Sequence, residues 1–282
     1  MRKNTWTTII STIVVLLLLE IFFIIWGKSE TTTEAYRIST LHQSITGCDI
    51  LPKSFSLSAK KTNLSQTETK NSSIVSFPTY KETIERKEDG WLIVNNPTSP
   101  LVMVNKQRKL PDNYIPPKLV IPNVRFSFDG IVEKKYLRVI AAKPLEQMFK
   151  KAESEGMYLY AVSGYRSYKR QISVFQLHTS ELGEEKAKEV SAVPGSSEHQ
   201  TGLSIDISSE SAKFLLSTDF GLTPEGKWVK ENAHKFGFII RYPEDKVKIT
   251  GYSFEPWHIR YVGVKYATYL YNHNLALEEA IK

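Results

Sequence analysis

The chain has 282 residues, enough for one or two domains, and its formal net charge is +7. This charge indicates attraction to an anionic surface such as a bacterial cell wall or lipid headgroups. A nucleic acid is not an expected partner, because the sequence has no groove-reading helix and no RNA-binding aromatic motif. The single cysteine, Cys48, excludes an intramolecular disulfide.

The N-terminus carries an apolar run over residues 6–26, with Trp6 and Trp26 at its ends and Lys28 after it. The run is close to the roughly 20 residues that a helix needs to cross a bilayer. Tryptophan at both interfaces and a basic N-terminal flank are typical of a spanning helix with its N-terminus in the cytoplasm. A cleaved signal peptide would have a shorter apolar core and a small-residue cleavage site. We therefore predict an uncleaved transmembrane anchor over residues 1–28.

Residues 29–89 are rich in Ser, Thr, Lys and Glu and have no sustained helical or strand period. They predict a mostly disordered stalk. The runs W-L-I-V at 91–94 and L-V-M-V at 101–104 then predict short buried strands. The proline-rich piece over 110–122 predicts an extended arm on the surface of a domain that spans residues 90–282.

Short helices and strands alternate through the rest of this domain. Helix signals predict helices from Pro144 to Gly156, after a cap at Ser167, from 223 to 237 and over 263–272. Strands are predicted over residues 157–163, 203–207, 238–241 and 257–262. This mixed order is not a regular βαβ series, so we expect an α+β domain with a small, mainly antiparallel sheet and flanking helices.

Two motifs carry most of the chemistry: S-E-H-Q-T-G-L-S-I-D at 197–206 and E-P-W-H at 255–258. A catalytic zinc site needs three protein ligands, an open position for water and an acid/base residue beside it. The candidate ligands are His199, Asp206 and His258, with Glu255 as the base. This combination predicts a zinc hydrolase with its metal site at the sheet.

Asp206 and Glu255 need particular surroundings for these roles. A carboxylate within an apolar strand must be paired or bind a metal, so the alternative for Asp206 is a basic partner or a backbone cap. Glu255 and His258 would face opposite sides of a regular strand, so the backbone must bend between them, and Pro256 supplies a reason. Aromatic neighbours would raise the pKa of Glu255, which suits a base working near neutral pH.

Arg166 lies in S-G-Y-R-S, between a predicted strand and a predicted helix. There, its guanidinium can meet a substrate carboxylate bidentately or an oxyanion as it develops, whereas the alternative is a surface arginine. We expect the remaining histidines to be structural or solvated. They are His42, His178, His234 and His273.

Jointly, the motifs resemble the VanY-type D-alanyl-D-alanine carboxypeptidases, zinc peptidases of bacterial cell walls. The resemblance covers residues 91–270 and rests on S-G-Y-R-S-Y-K-R-Q, P-G-S-S-E-H-Q-T-G-L-S-I-D-I, H-K-F-G-F-I-I-R-Y-P and I-T-G-Y-S-F-E-P-W-H-I-R-Y-V-G, in this order. The family pattern is S-x-H-x-x-G-x-A-x-D. Here Ser204 stands at the alanine, a small-for-small change.

The resemblance implies a zinc carboxypeptidase that removes C-terminal D-alanine from peptidoglycan stem peptides. Together with the predicted anchor, which lies outside the resemblance, we expect a membrane-anchored enzyme on the outside of the cell. The implied roles are zinc ligation by His199, Asp206 and His258, base catalysis by Glu255, contact with the substrate's carbonyl oxygen or carboxylate by Arg166, and further substrate contacts by Ser197 and Gln171. An L,D-carboxypeptidase of tetrapeptide stems and a peptidoglycan endopeptidase stay open as alternatives.

Two rivals come from other classes of protein. A wall-binding module without chemistry would have lost Glu255 or a ligand, and all four residues are present. A structural zinc domain usually uses four protein ligands, mostly Cys and His, and the chain has one cysteine.

Overall fold

A computed structural model of the chain describes residues 75–282. The predicted anchor over 1–28, Cys48 and the predicted stalk up to residue 74 lie outside the described residues. In the described part, no helix combines the length and the apolar character that spanning a bilayer requires.

The described residues form three small sheets. The strands are β1 (Ile84–Glu88), β2 (Trp91–Val94), β3 (Arg108–Lys109), β4 (Leu119–Val120), β5 (Leu137–Arg138), β6 (Tyr160–Ser163), β7 (Ser204–Ser208), β8 (Phe238–Tyr242) and β9 (Glu255–Tyr261). The central sheet has the order β6-β7-β9-β8 and is antiparallel throughout. The other two sheets are β1-β2-β3 and β4-β5, and β2 with β3 is the one parallel pair among these strands.

Helices flank the sheets. The α-helices are α1 (Val139–Ser154), α2 (Tyr168–Leu182), α3 (Glu184–Val190), α4 (Pro224–Asn232), α5 (Val247–Thr250), α6 (Val264–Asn272) and α7 (Leu277–Ala280). The 3₁₀ segments are Lys81–Thr83, Glu133–Lys135, Glu198–Thr201, Thr218–Leu222, Ala233–Phe236 and Glu244–Lys246. The predicted α+β class with a small, mainly antiparallel sheet is confirmed.

The capping and stop residues predicted from the sequence lie at helix ends in the structure. Ser167 caps α2, because its Oγ accepts a hydrogen bond from the backbone of Arg170 at 3.2 Å. Thr223 caps α4 through the backbone of Gly226, with proline at the first helical position. Gly237 ends the following 3₁₀ segment with a left-handed φ of 85°.

Two predicted boundaries in the first half of the domain are wrong. Helix α1 begins at Val139, so Pro144 lies inside the helix and not in its first turn. The buried Ala141 and Ala142 lie upstream of the proline and extend the apolar helix face toward the N-terminus. Strand β6 begins at Tyr160, three residues after the predicted start at 157.

The predicted strand at 101–104 is wrong, although all four residues are buried. Arginine side chains bind several of the carbonyl groups that a neighbouring strand would otherwise pair. Arg260 donates from Nη2 to the carbonyls of Pro100 and Val102 at 3.0 and 2.7 Å, and Arg108 donates from Nε to Met103 at 3.0 Å. The apolar run is thus buried but does not pair with a neighbouring strand.

Strand β1 lies within the segment that the sequence assigns to the stalk. Its residues Ile84–Glu88 pair antiparallel with Trp91–Val94 across the turn at Asp89 and Gly90. The strand is charged and mostly exposed, so it shows no apolar alternation in the sequence.

The two faces of the central sheet differ in chemistry. Because side chains alternate along a strand, Ile205 and Ile207 of β7 face the core with α1, whereas Asp206 points to the opposite face. Each buried aliphatic side chain contributes about 1.5–3 kcal/mol to stability. The main core residues from these elements are Leu145, Met148, Phe149, Ala152, Leu203, Ile205, Ile207 and Ile259. The opposite face is also buried, but it is polar.

Candidate metal centre and substrate cleft

Three candidate ligands meet on the polar face of the central sheet. Asp206 and His258 are direct cross-strand partners in the β7–β9 ladder, and His199 reaches them from the 3₁₀ segment Glu198–Thr201. One nitrogen or oxygen atom from each side chain lies within 4.8 Å of the other two. All three side chains are buried. The structure therefore brings the predicted ligand set together.

Each of the two imidazoles directs one ring nitrogen at Asp206. His199 Nδ1 lies 2.7 Å from the carbonyl oxygen of Gly164, which leaves Nε2, 3.4 Å from Asp206 Oδ2. His258 Nδ1 lies 2.9 Å from Asp206 Oδ1. A ligating histidine in a metal site characteristically donates its other ring N–H to a backbone carbonyl or a carboxylate. Two imidazoles and a carboxylate with this arrangement fit a zinc ion.

The electrostatics of this cluster favour a cation. Burial lowers the pKa of His199 to about 4, against the opposing charge of Asp206. Burial also disfavours the charged form of His258, but the hydrogen bond with Asp206 and the nearby negative charge of Glu198 outweigh it and raise the pKa to about 9. Burial would raise the pKa of Asp206, yet the two imidazoles outweigh it and hold that pKa below its usual range. A metal ion would thus replace a proton beside an ionised carboxylate.

Glu255 opens β9 beside the cluster, at a break in the strand pairing. Ile240 pairs with Ile259, but Tyr242 pairs with Glu255, so β9 carries two residues more than β8 over this stretch. This irregularity, at buried Pro256, is the predicted bend. Burial raises the pKa of Glu255, as the sequence predicts.

Arg166 and Gln171 form a hydrogen-bonded pair. Arg166 Nη1 donates to Gln171 Oε1 at 3.0 Å, and Gln171 Nε2 donates to the carbonyl of Ala192 at 2.6 Å. Gln171 is fully buried, so its place is behind the guanidinium that it orients. The backbone N–H of Arg166 donates to the carbonyl of His199 at 3.2 Å, which ties this loop to the ligand cluster.

A cleft of about 400 Å³ opens over the cluster. Its lining residues are Arg166, Val174, His178, Ser191, Ala192, Ser197, Glu198, His199, Tyr242, Tyr252, Ser253, Glu255 and His258. The structure therefore gathers the predicted base, the predicted arginine, Ser197 and both candidate ligand histidines around one cavity, and Asp206 contacts the two histidines. Gln171 is outside the lining.

Comparisons with known proteins identify the family. The family model described as VanY, D-alanyl-D-alanine carboxypeptidase, matches residues 134–264. The chain is 54% identical over 194 residues to the Bacillus subtilis protein named "Putative carboxypeptidase YodJ", covering 69% of this chain and 71% of that protein. The chain belongs to the VanY family.

Two solved structures are similar to this one. The LdcB LD-carboxypeptidase, described for its peptidoglycan recognition, has 51% sequence identity and a TM-score of 0.70, with 73% of this chain and 97% of that chain covered. A variant of the vancomycin-resistance D,D-pentapeptidase VanY, in complex with Zn(II), has 32% identity and a TM-score of 0.53, with 65% and 99% covered.

Sequence reasoning missed a buried ionic network on the same sheet face of this VanY family member. Its charged members are Glu198, Arg241, Arg260 and Glu278. The signal was present, because arginines at the ends of the apolar runs F-I-I-R and W-H-I-R need anionic partners when buried. Ser204, the departure from the family pattern, belongs to this network through a hydrogen bond from its Oγ to Glu198.

The remaining described histidines have different surroundings. His178 is on the helix α2, as predicted, and also lines the cleft. His234 stacks on Tyr271 with ring centroids 3.8 Å apart, and His273 stacks on Tyr269 at 4.1 Å. These two aromatic pairs agree with the prediction that both histidines are structural or solvated.

Proposed function

We propose that this chain is a zinc-dependent carboxypeptidase that releases C-terminal D-alanine from peptidoglycan stem peptides. The observation that carries the proposal is the cluster of His199, Asp206 and His258, whose two histidines line one cleft with Glu255 and Arg166. Membership of the VanY family and the Zn(II) complex of a relative support the metal and the reaction class.

Each residue of the cleft has one task in this reaction. The two histidines and Asp206 would hold zinc, which would lower the pKa of a water molecule and polarise the scissile carbonyl. Glu255, whose pKa is raised by burial, takes a proton from the attacking water and returns it to the leaving amine. Arg166, held by Gln171, binds the terminal carboxylate of the peptide or the developing oxyanion. Ser197, on the cleft wall, contacts the peptide.

Two bonds are candidates for cleavage. The sequence motifs alone favour the D,D bond of a pentapeptide stem, which agrees with the description of the family model. The LD-carboxypeptidase at 51% identity instead favours the bond between an L-centre and D-alanine in a tetrapeptide stem. We take the L,D bond as the preferred site, because this relative is more similar than the D,D-pentapeptidase at 32%.

The location of the enzyme follows from its proposed substrate. Peptidoglycan lies outside the cytoplasmic membrane, and the apolar run over 6–26 with its basic flank suits a single-pass anchor. We propose that residues 90–282 act at the outer face of the membrane.

The test uses the full-length chain, purified in detergent because of its predicted anchor and loaded with zinc. Tetrapeptide and pentapeptide stems are supplied separately, and release of D-alanine is followed with and without a chelator. Faster release from the tetrapeptide, abolished by chelation and restored by zinc, is the expected result. Release from the pentapeptide alone would establish the D,D reaction. Release of D-alanine from neither stem would contradict the proposal, and cleavage inside the stem would favour an endopeptidase.

A further inference from the structure

Three side-chain donors hold the carboxylate of Glu198 within the polar face of the central sheet. Its Oε1 accepts hydrogen bonds from Arg241 Nε at 2.8 Å and from Arg260 Nη1 at 2.7 Å. Its Oε2 accepts a hydrogen bond from Ser204 Oγ at 2.9 Å. The side chains of Glu198 and both arginines are fully inaccessible to solvent. The orientation of this carboxylate is therefore set by the fold.

The two arginines are themselves anchored. Arg241 donates from Nη1 and Nη2 to Glu278 of α7 at 2.9 and 2.6 Å. Arg260 donates from Nη2 to the carbonyls of Pro100 and Val102 at 3.0 and 2.7 Å. The network thus joins the segment before β3, the central sheet and the last helix around one carboxylate.

The free side of this carboxylate faces a candidate metal ligand. Glu198 Oε2 lies 3.7 Å from His258 Nε2, a buried atom that makes no hydrogen bond. The other nitrogen of the same ring, Nδ1, lies 2.9 Å from Asp206 Oδ1. At 3.7 Å the contact with Glu198 is electrostatic, and in a buried site it is weakly screened. A negative charge there favours a proton on Nε2.

We propose that Glu198 is a positioning residue of the metal centre, which keeps the proton of His258 on Nε2 and so presents Nδ1 to the metal. The inference rests on the proposed function for the identity of the ligands. A carboxylate behind a ligating histidine fixes the ring and its tautomer and makes the ligand more basic. Glu198 contacts neither the substrate nor the metal in this role.

The substitution Glu198→Gln tests the role with almost no change of volume. The amide oxygen stays with the two arginine donors, so the amide NH₂ takes the position of Oε2 and faces His258 Nε2. An N–H donor there favours a bare Nε2 and a proton on Nδ1, the atom that should bind the metal. We expect the zinc affinity of the full-length chain to fall by about 10–100-fold. Competition with a chromophoric chelator measures it.

Two further variants separate positioning from general loss of structure. Glu278→Gln removes the other carboxylate from Arg241 but leaves the one that faces His258, so we expect lower stability and unchanged zinc affinity. Glu198→Asp retains the charge that the arginines need and draws it back by one methylene. It is the variant to use if Glu198→Gln does not fold, and we expect it to weaken zinc binding as well.

The absorption spectrum of the cobalt(II)-loaded chain gives a second readout, because its bands depend on the ligand geometry. We expect altered bands in both Glu198 variants and an unaltered spectrum in Glu278→Gln. Wild-type zinc affinity in a folded Glu198 variant would overturn the inference, and so would an equal loss in Glu278→Gln. Metal binding is measured without substrate. A wild-type chain that binds zinc but releases no D-alanine would therefore refute only the proposed function.

Discussion

At the scale of single residues, the two carboxylates closest to the chemistry differ in their surroundings. Asp206 faces two imidazoles that hold its pKa below the usual range, although burial alone would raise it. For Glu255, burial prevails and its pKa is raised. Carboxylates whose pKa values are pushed apart in one site take different roles. Asp206 therefore suits a permanent charge beside a metal, and Glu255 suits a proton carrier.

Substitution of Glu255 by glutamine should separate catalysis from metal binding. The amide cannot accept a proton from water, so we expect turnover to fall by about 10²–10⁴-fold. Zinc content should stay at the wild-type level, because the candidate ligands are untouched. D-alanine release and metal analysis measure the two effects, with the exposed Glu244→Gln as the matched control. Undiminished turnover would remove Glu255 from the mechanism.

Substitution of Arg166 by alanine should show what its guanidinium binds. A charge-assisted hydrogen bond contributes about 1.5–3 kcal/mol, so we expect a roughly 10–100-fold loss of kcat/KM on peptides with a free carboxylate. Peptides with an amidated C-terminus should lose less. An equal loss on both would assign Arg166 to the oxyanion. The control is Arg170→Ala, at an exposed position of α2, the helix that Ser167 caps.

At the scale of elements, the register of the central sheet assembles the site. The β7–β9 ladder sets Asp206 opposite His258 and Ser204 opposite Arg260, so two candidate metal ligands and part of the ionic network share one face. The position of the third candidate ligand, His199, depends on the loop after β6. The carbonyl of Gly164 holds His199 Nδ1, and the backbone of the same loop bonds to Lys134 and Tyr136.

Gly164 therefore links the loop to the metal centre. A Cβ there would lie 2.5 Å from the carbonyl oxygen of Tyr136, so Gly164→Ala must displace the backbone that orients His199. We expect lower stability and a zinc affinity about 10-fold weaker or more. Gly226→Ala, which would clash with the backbone of Phe220, should destabilise the chain without changing zinc affinity. Chelator competition at a temperature where both variants are folded distinguishes them.

At the scale of the whole molecule, buried charge connects parts of the chain that are far apart in sequence. Burial alone would raise the pKa of Glu198, but Arg260 and Arg241 outweigh it and hold that pKa well below its usual range. The pKa of Glu278 is lowered in the same way by Arg241. Removing one partner of such a network leaves a buried charge without its counterion. The buried network that stabilises the fold therefore also lies against the candidate metal centre.

The same network predicts acid sensitivity. Carboxyl groups whose folded pKa is lowered contribute stability that is present above the unfolded pKa of about 4.3 and is lost as the pH falls below it. We expect the free energy of unfolding, measured with urea, to decrease steeply below about pH 4. Glu278→Gln should make the free energy of unfolding fall less steeply with decreasing pH, because one of these carboxyl groups no longer titrates. An unchanged slope in that variant would contradict the assignment.

Many elements of the fold are predictable from the sequence, because helix caps, stops and apolar periods depend on neighbouring residues. The cap at Ser167, the stop at Gly237 and the apolar period of α1 are properties of neighbouring residues. The predicted strand at 101–104 does not form, because Arg260 and Arg108, distant in sequence, bind carbonyls of this segment in place of a neighbouring strand. Periodicity contains no information about such partners.

For the candidate site, the sequence by itself determined the set of chemical groups and their motifs: two imidazoles, a ligating carboxylate, a second carboxylate and an arginine. Only the tertiary structure decided that Gln171 stands behind Arg166 and that Glu198 faces His258. It also showed that Ser204 is part of a buried network and not merely a small residue in place of alanine. The physical reason is that motif spacing specifies residue types, whereas hydrogen-bond partners across a sheet depend on strand register and burial.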